Sequence, residues 1–565
     1  MGMTSKVISP ISAREFASMM KQVWPPSGWS SSVAVANSGG PDSTCLLYLL
    51  HRYFQDPDLL PKDPPNVVSI TIDHALQKSS THMADVAEQS ARSLGIRHIT
   101  GRIPWGEDGY PCKPGANDPI EEQARNARYT LMYKCMKDVD ANAVAFGHHM
   151  DDQVETMLMR LGRGSSIHGL AGMSMLSRRG MGVRDEEEAS IRWNGYDYLN
   201  TWKIRPLLRI PKDRILATCD ANQLDYVNDP TNFQPSLTIR NAIRDAVARG
   251  NVLGDDVKSP SMQRYPPHIA EQLVSINTHA QKFPSLDMYL HSGKEKLYES
   301  LEFAVNQRAE STNEVDRVLE EKRLRSPPGT ICLPYNTFRE IEDETVRISL
   351  VWRIMKYVSP SPWGSLRSEG HRRQESVQRL LSILCDDVAH ERDVPASLSI
   401  GSRVWWRLVR VKPNGYSASV RMCSSEELAW LACRSPQPRH ARHDPLNVDV
   451  TSELHFAYND WLENGSSPIV RFVYDCRFLL TFDVSIMPMQ EILQLGNLLV
   501  VPRTVWHFPQ VILKSNTSDE KLTLHEDIEG EPDICTRDGN GKTRQDELRR
   551  LPGVTTNHFR PLTAA

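Results

Sequence analysis

A loop rich in glycine and serine follows the first apolar segment of the chain, Val-Ala-Val-Ala at 33–36. Its two glycines let the backbone approach an anion, and its hydroxyls and the N–H groups that open the next helix can bind one. The loop differs from a Walker A loop, which needs a lysine after its last glycine. It carries Asp42 instead, and an acid beside phosphates is reasonable chemistry if it binds Mg²⁺. We therefore predict a phosphate site rather than a plain glycine turn, formed by Ser38, Gly39, Gly40, Pro41, Asp42 and Ser43.

A second group of polar residues lies in the segment Gly-His-His-Met-Asp-Asp-Gln-Val-Glu-Thr at 147–156. The segment begins at a predicted strand end and runs into a helix, where His148, Asp152 and Glu155 are spaced to share one face. The same spacing would suit a zinc site, but no third His or Cys accompanies the two histidines of this segment. A buried structural histidine beside an acidic helix start is the remaining alternative.

Short apolar runs alternate with helical patterns through this part of the chain. They predict strands at 33–36, 67–72, 96–100 and 143–146, which is typical of a parallel sheet with helices on both faces. Ligands of such sheets bind beyond the carboxyl ends of the strands. Because Ser38, Asp73 and His148 each follow a predicted strand, we expect them to converge on one edge.

The loop and the histidine segment resemble the tRNA(Ile)-lysidine synthetase family, a branch of the PP-loop ATP pyrophosphatases. The histidine match continues at 161–164 and 169–173, and three further stretches agree, at 73–76, at 122–129, and at 205–208 leading to 229–232 and 240–244. The resemblance implies an α/β fold with a doubly wound parallel sheet of the PP-loop type. It implies that ATP and Mg²⁺ are used to adenylate C2 of the cytidine at the first anticodon position of a CAU-anticodon isoleucine tRNA. The side-chain amine of free L-lysine then displaces AMP.

Residue roles follow from the same resemblance. The catalytic centre would comprise Asp42, His148, Asp152, Glu155 and Arg205, with Asp42 and Asp152 as metal ligands. ATP would also contact Asp73 and His74, and tRNA would contact Arg125, Arg128, Arg240, Asn241 and Arg244. The amine needs a base, which could be Glu155 or Asp152. The helix containing Arg125 and Arg128 could equally form a structural salt-bridge ladder.

Two departures and three rival functions remain open. Asn37 stands where an apolar residue is usual, and Ala75 replaces the customary glycine after Asp73 and His74. A PP-loop tRNA thiolase would normally carry C-x-x-C pairs, which are absent from the ten cysteines of this chain. An amidotransferase-type synthetase would bring a glutaminase part, and a non-catalytic tRNA-binding scaffold would not need the acidic and histidine residues.

The chain of 565 residues is long enough for several domains. We predict a PP-loop catalytic domain at 1–245, a helical middle domain at 246–358, a divergent β-rich carboxy-terminal region at 359–515 and a partly disordered tail at 516–565. Residues 184–188 form an acidic insertion that we expect in an exposed loop, and 538–543 are a poor match to a Walker A ending.

The overall charge does not announce a nucleic-acid partner, because the formal net charge is −4. RNA contacts would have to come from local patches such as Lys203, Arg205, Arg209, Lys212 and Arg214. No apolar run is long enough to predict a membrane span. Residues 11–24 read as an amphipathic helix after a weakly basic start. The expected location is mitochondrial for a eukaryotic source and cytoplasmic otherwise, and the sequence leaves a homodimer open.

Overall fold

The structure is a computed structural model, and its described residues fall into two compact units. These residues are 8–58, 63–76, 79–107, 110–115, 120–181, 188–228, 234–250, 259–365, 374–385, 398–399, 401–412, 415–417, 428–436, 446–503, 507–515, 521–524 and 552–562. The first unit comprises 1–178 and 200–310, and the second comprises 179–199 and 311–565.

The first unit is built on a sheet with the strand order β3-β2-β1-β4-β6-β5. Its strands are β1 Ser32–Ala36, β2 Asn66–Asp73, β3 Arg97–Arg102, β4 Ala141–Ala145, β5 Leu176–Arg178 and β6 Trp202–Ile204. All neighbours pair in parallel except β5, which runs antiparallel to β6. The order runs outward from β1 in both directions, so the carboxyl ends of β1 and β4 lie side by side at the centre of the sheet.

Helices cover this sheet and continue beyond it. They are α1 Ala13–Gln22, α2 Pro41–Gln55, α3 Ser79–Ser93, α4 Ile120–Asp138, α5 Met150–Leu161, α6 Ile167–Leu170, α8 Lys212–Ala221, α9 Ile239–Arg249, α10 Pro267–Ala280 and α11 Lys294–Lys322, of which residues 311–322 belong to the second unit. Helix α7, Glu188–Leu199, belongs to the second unit. The helix predicted at 11–24 is confirmed as α1, where Ser12 accepts a hydrogen bond from the N–H of Glu15. Leu158, Ile243, Leu273 and Leu297 share one apolar core, so α5, α9, α10 and α11 form a helical layer beside the sheet.

The second unit combines antiparallel sheets with helices. Its strands are β7 Ile331–Pro334, β8 Leu398–Ser399, β9 Val404–Lys412, β10 Gly415–Ser417, β11 Leu428–Arg434, β12 Val448–Asp449, β13 Ile469–Tyr474, β14 Phe478–Asp483, β15 Gly496–Pro502, β16 Pro509–Ser515, β17 Lys521–Leu524 and β18 Val554–His558. Its further helices are α12 Thr337–Glu340, α13 Glu344–Val358, α14 Gln374–Cys385, α15 Thr451–Asn464 and α16 Met489–Leu495. The strands group as β10-β9-β11-β7 with β8 on β9, as β12-β15-β16-β17, and as β13-β14-β18.

Most of the elements predicted from sequence are present. The strands expected at 33–36, 67–72, 96–100 and 143–146 are confirmed as β1 to β4 within about two residues. The carboxy-terminal region is mixed α/β, as expected. The four-part division remains a prediction, and residues 259–310 lie in the same unit as the parallel sheet.

Some predictions fall outside the described residues. These are the motif 229–232, most of the acidic insertion, the segment 538–543 and most of the tail after residue 516. Two described parts of the tail form strands: β17 pairs with β16, and β18 pairs with β14. No helix among the described residues is both long enough and apolar enough to cross a bilayer.

Candidate active site

The three predicted motifs converge on one cavity of about 900 Å³ at the carboxyl edge of the parallel sheet. Ser38 follows β1, His74 follows β2 and His148 follows β4, and all three line the cavity. Ser38 and His148 thus converge on one edge as expected, whereas the third residue expected there, Asp73, is not among the lining residues and its neighbour His74 is. Parallel strands end at the same edge, so residues more than a hundred positions apart become neighbours.

The glycine loop is held in shape by Asn37, the residue that departs from the family pattern. Asn37 is buried, and its Oδ1 accepts hydrogen bonds from the N–H of Gly39 at 3.0 Å and the hydroxyl of Ser43 at 3.1 Å. Its Nδ2 donates to Ser69 Oγ and to the carbonyl of Ala87, both at 3.2 Å. A buried amide whose groups are all bonded fixes the loop more tightly than an apolar side chain would.

Two glycines allow the close backbone approaches that the loop needs. Gly39 has φ +76°, and a Cβ there would lie 2.8 Å from the carbonyl oxygen of Met83. A Cβ on Gly147 would lie 2.8 Å from both the carbonyl carbon and oxygen of Asp42. Gly147 thus brings the start of the histidine segment directly against the glycine loop.

His149, which sequence analysis did not select, lies at the centre of the acidic residues. Its Nε2 is 3.7 Å from Asp42 Oδ1 and 3.5 Å from Asp152 Oδ2, and its Nδ1 is 3.6 Å from Asp151 Oδ2. The predicted residue His148 precedes α5 rather than lying on it. The two adjacent histidines made either one a candidate site residue from sequence. Only the path of the backbone decides which ring faces the carboxylates.

The two histidines have opposite electrostatic environments. Burial lowers the pKa of His148 to about 3, with Arg205, Arg240 and Arg125 adding to the effect and Asp152 opposing it, so this imidazole is neutral near pH 7. Burial also acts to lower the pKa of His149, but Asp151, Asp152 and Asp42 outweigh it and raise the pKa. His149 therefore favours the cationic form.

The carboxylates of α5 also differ. Burial raises the pKa of Glu155 to about 6, aided by the charge of Asp152 and opposed by Arg244 and Arg240. Burial opposes ionisation of Asp152 too, but His149, His148 and Arg240 hold its pKa below the usual range. Because a general base works best with a pKa near the working pH, Glu155 suits that role better than Asp152.

The cationic side chains that pair with the cavity's carboxylates come from three helices. Arg244 Nη2 and Arg240 Nε of α9 lie 2.8 Å and 3.6 Å from Glu155. Lys294 of α11 places its Nζ 2.8 Å from Asp151 Oδ1, and Lys212 at the start of α8 places its Nζ 2.5 Å from Asp42 Oδ1. Sequence analysis did not select Lys294, and it placed Lys212 in a patch for RNA.

Asp73 and Arg205 lie behind the residues that line the cavity. Asp73 accepts hydrogen bonds from the N–H of Ala75 at 2.8 Å and from Ser80 Oγ at 2.6 Å, so it orders the turn after β2. Ala75 has φ +52°, a conformation that favours glycine, which explains the glycine customary there. Arg205 is buried, and its Nη1 donates to the carbonyl of Ser174 at 2.9 Å and to Ser177 Oγ at 3.3 Å.

The residues predicted to contact tRNA also line the cavity. Arg125 and Arg128 lie over the ring of Tyr129, with 5.5 Å and 5.8 Å from guanidinium carbon to ring centroid. The Asn241 N–H donates to Thr238 Oγ1 at the start of α9, and its Nδ2 donates to the carbonyl of Gln234. Arg240 and Arg244 are engaged with Glu155, so α9 links the predicted RNA contacts to the acidic centre.

The two carboxylates predicted to bind Mg²⁺, Asp42 and Asp152, both lie beside His149. Oδ1 of Asp42 and Oδ2 of Asp152 face the same nitrogen of His149. Within the described ranges, no group of three or more His, Cys, Asp or Glu side chains is arranged to hold a metal alone. Mg²⁺ bound with a nucleotide needs only one or two carboxylates, because phosphates and waters complete its shell.

Comparisons with known proteins agree with this geometry. Residues 9–250 match the model of the PP-loop domain family. The resemblance to tRNA(Ile)-lysidine synthases is confirmed by relatives in Bradyrhizobium sp. (strain BTAi1) and Rhodopseudomonas palustris. The first is 36% identical over 40% of this chain and 54% of its own length. The second is 34% identical over 41% of this chain and 58% of its own length.

These matches cover less than half of this chain. The chain spans a little over half the length of these two curated relatives. A solved structure, the U34-tRNA thiolase of Methanococcus maripaludis with its iron–sulfur cluster, is 16% identical over 48% of this chain and 80% of that chain, with a TM-score of 0.31. That score is too low to bear on function.

Proposed function

We propose that this protein is a tRNA(Ile)-lysidine synthetase. It uses ATP and Mg²⁺ to adenylate the C2 carbonyl oxygen of the first-anticodon-position cytidine of a CAU-anticodon isoleucine tRNA, with release of pyrophosphate, and then joins the side-chain amine of free L-lysine to C2 with release of AMP. The observation that carries the proposal is the meeting of the glycine loop with the acidic start of α5 in one cavity, where Gly147 touches the backbone of Asp42.

Adenylation requires a weakly nucleophilic carbonyl oxygen to attack the α-phosphate of ATP. The chain's contribution is to hold both partners in line and to neutralise charge on the phosphates. The loop held by Asn37 presents Ser38 and Ser43 to the triphosphate. Asp42 and Asp152 would hold Mg²⁺, which supplies charge neutralisation at the phosphates when bound.

The second step requires a neutral amine, whereas the side chain of free lysine is protonated near pH 7. Glu155 is the proposed base, because its pKa is raised to about 6 by burial and it remains largely ionised at neutral pH. Asp152, whose pKa is lowered, serves the metal instead. Glu155 also fixes Arg244 at 2.8 Å, which orients a cation toward the reacting groups.

The predicted catalytic residue Arg205 is proposed to position its neighbours rather than to touch phosphate. Its guanidinium bonds to Ser174 and Ser177 and lies 5.8 Å from the centroid of the Phe146 ring. Its buried charge helps keep His148 neutral. We propose that Arg125, Arg128, Arg240, Asn241 and Arg244 contact the tRNA around the entering cytidine.

The decisive experiment follows pyrophosphate release and RNA mass in parallel. Wild-type protein receives ATP, Mg²⁺ and unmodified CAU-anticodon isoleucine tRNA, with or without lysine, and Asp42→Ala is the matched inactive variant. We expect release that depends on tRNA, and a cytidine heavier by lysine less water only when lysine is present. Release without incorporation of lysine would instead favour a thiolase or another tRNA base modifier, and a tRNA that binds without turnover would favour the scaffold.

Two further properties belong to the same proposal. A eukaryotic source would place this activity in the mitochondrion, which a fluorescent fusion of the full chain tests. A homodimer would double the mass measured by light scattering at the concentrations of the assay.

A further inference from the structure

Lys212 is a cavity lysine that contacts the glycine loop from a remote part of the sequence. Its Nζ lies 2.5 Å from Asp42 Oδ1, although the two residues are 170 positions apart. Its backbone N–H donates to Asp151 Oδ2 at 2.9 Å. The main chain and the side chain of this one residue therefore bind two different carboxylates of the site.

The contact brings to the glycine loop an ammonium group that the loop itself lacks. A Walker A loop contains a lysine that reaches the β- and γ-phosphates, and this loop has none. Lys212 delivers an ammonium group to the same loop from the first turn of α8. Because the ammonium group is on a flexible side chain, it can move a short distance to contact a phosphate oxygen.

The pair between Lys212 and Asp42 is open to the cavity. Their side chains are 30% and 31% exposed, and an ion pair so accessible to water stabilises a fold little. Other cations of the cavity have partners away from the loop, with Arg244 on Glu155 and Lys294 on Asp151. A purely structural role therefore explains the position of Lys212 poorly.

We propose that Lys212 is an ATP-binding residue that changes partners during the reaction. In the ATP-free protein its ammonium group neutralises Asp42. When ATP binds with Mg²⁺, Asp42 would bind the metal and the ammonium group of Lys212 would turn to the β- and γ-phosphate oxygens. There it would stabilise the departing pyrophosphate. The inference rests on the proposed function, because it assumes that the loop holds a triphosphate.

Lys212→Met tests the contact with pyrophosphate directly. Titration calorimetry in Mg²⁺ would measure binding of inorganic pyrophosphate, of AMP and of α,β-methylene ATP, which cannot be cleaved. We expect pyrophosphate and the analogue to bind about 10- to 100-fold more weakly, the loss typical of one charge-assisted hydrogen bond. AMP affinity should change less than about twofold, because AMP lacks both phosphates.

Lys294→Met is the matched variant, since it removes another ammonium group from the same cavity but not from the loop. We expect it to change pyrophosphate affinity less than about threefold. Lys212→Arg keeps the charge and should retain most of the affinity. Thermal unfolding of each variant excludes a folding defect, and equal weakening by Lys212→Met and Lys294→Met would overturn the inference.

A double-mutant cycle with Asp42→Asn separates binding of phosphate from positioning of the loop. If Lys212 binds the analogue itself, Lys212→Met still weakens binding about tenfold or more in the Asp42→Asn background. If Lys212 only holds Asp42, its effect vanishes there and the inference fails. Absence of any ATP binding by wild-type protein would instead refute the proposed function, so the two failures are distinguishable.

Discussion

Replacing Gly147 with alanine should damage the proposed activity through a single methyl group. The added Cβ would lie 2.8 Å from the carbonyl carbon and oxygen of Asp42 and 3.0 Å from the nitrogen of Ser43. Carbon contacts are normally about 3.5–4.0 Å, so the glycine loop would have to retreat by about 0.7 Å. These neighbours are backbone atoms, which cannot rotate away as a side chain can.

The expected cost has two parts. Overpacking of this kind destabilises a protein by about 1–3 kcal/mol. A shift of about 0.7 Å in the groups that hold the triphosphate should lower the rate of pyrophosphate release about 10- to 100-fold. The assay is tRNA-dependent pyrophosphate release at saturating ATP, with urea unfolding measured on the same preparations.

Gly195→Ala is the matched control. Gly195 lies in α7 and its φ is not in the left-handed region; the nearest atom to an added Cβ is Ile191 Cγ2 at 3.4 Å. Alanine should favour that helix by up to about 1 kcal/mol. Wild-type turnover by Gly147→Ala would refute the argument that close contact between these two segments builds the site.

Three other changes test the remaining parts of the structure. Glu155→Gln should lower the rate of lysine incorporation by about 10²–10⁴-fold while adenylated RNA accumulates. In the wild-type protein that rate should rise with pH through about 6, because Glu155 becomes ionised. A flat wild-type profile between pH 5 and 7.5 would exclude Glu155 as the base. Asn37→Ala should cost about 1–3 kcal/mol in urea unfolding by leaving Gly39 and its other buried partners unsatisfied, and should weaken ATP binding; unchanged ATP affinity would contradict its role in the loop. Asp475→Asn in the second unit should lower the free energy of unfolding in urea by about 3–5 kcal/mol, because this buried carboxylate neutralises Arg434 and Arg477 at 2.9 Å and 2.6 Å. A decrease below about 1 kcal/mol would mean that those charges are compensated elsewhere.

Sequence reasoning succeeded where local pattern and chain topology are sufficient. The alternation of apolar runs and helical periods predicted β1 to β4, and the position of Ser38 and His148 after predicted parallel strands indicated that they would share one edge. It selected His148, which lines the cavity, but not His149, whose ring lies within 4 Å of Asp42, Asp151 and Asp152. Spacing alone cannot show where α5 begins, and a shift of one residue turns the side chain to another neighbour.

Other features required the folded chain because their partners come from distant elements. Nothing near Lys212 in the sequence indicates that its ammonium group meets Asp42, and Lys294 lies outside the matched PP-loop domain. The departure at Asn37 looked neutral until its side chain was placed among Gly39, Ser43 and Ser69.

The sequence by itself determined the class of chemistry. A glycine loop with Asp42 after a strand, and an acidic helix start after another, predict phosphate binding through residue types and their spacing along the chain. Only the tertiary structure decided how the charges are used. The pKa of a side chain depends on burial and on charges a few ångströms away in space, so the neutral His148, the raised pKa of Glu155 and the pairing of Lys212 with Asp42 exist only once the chain has folded.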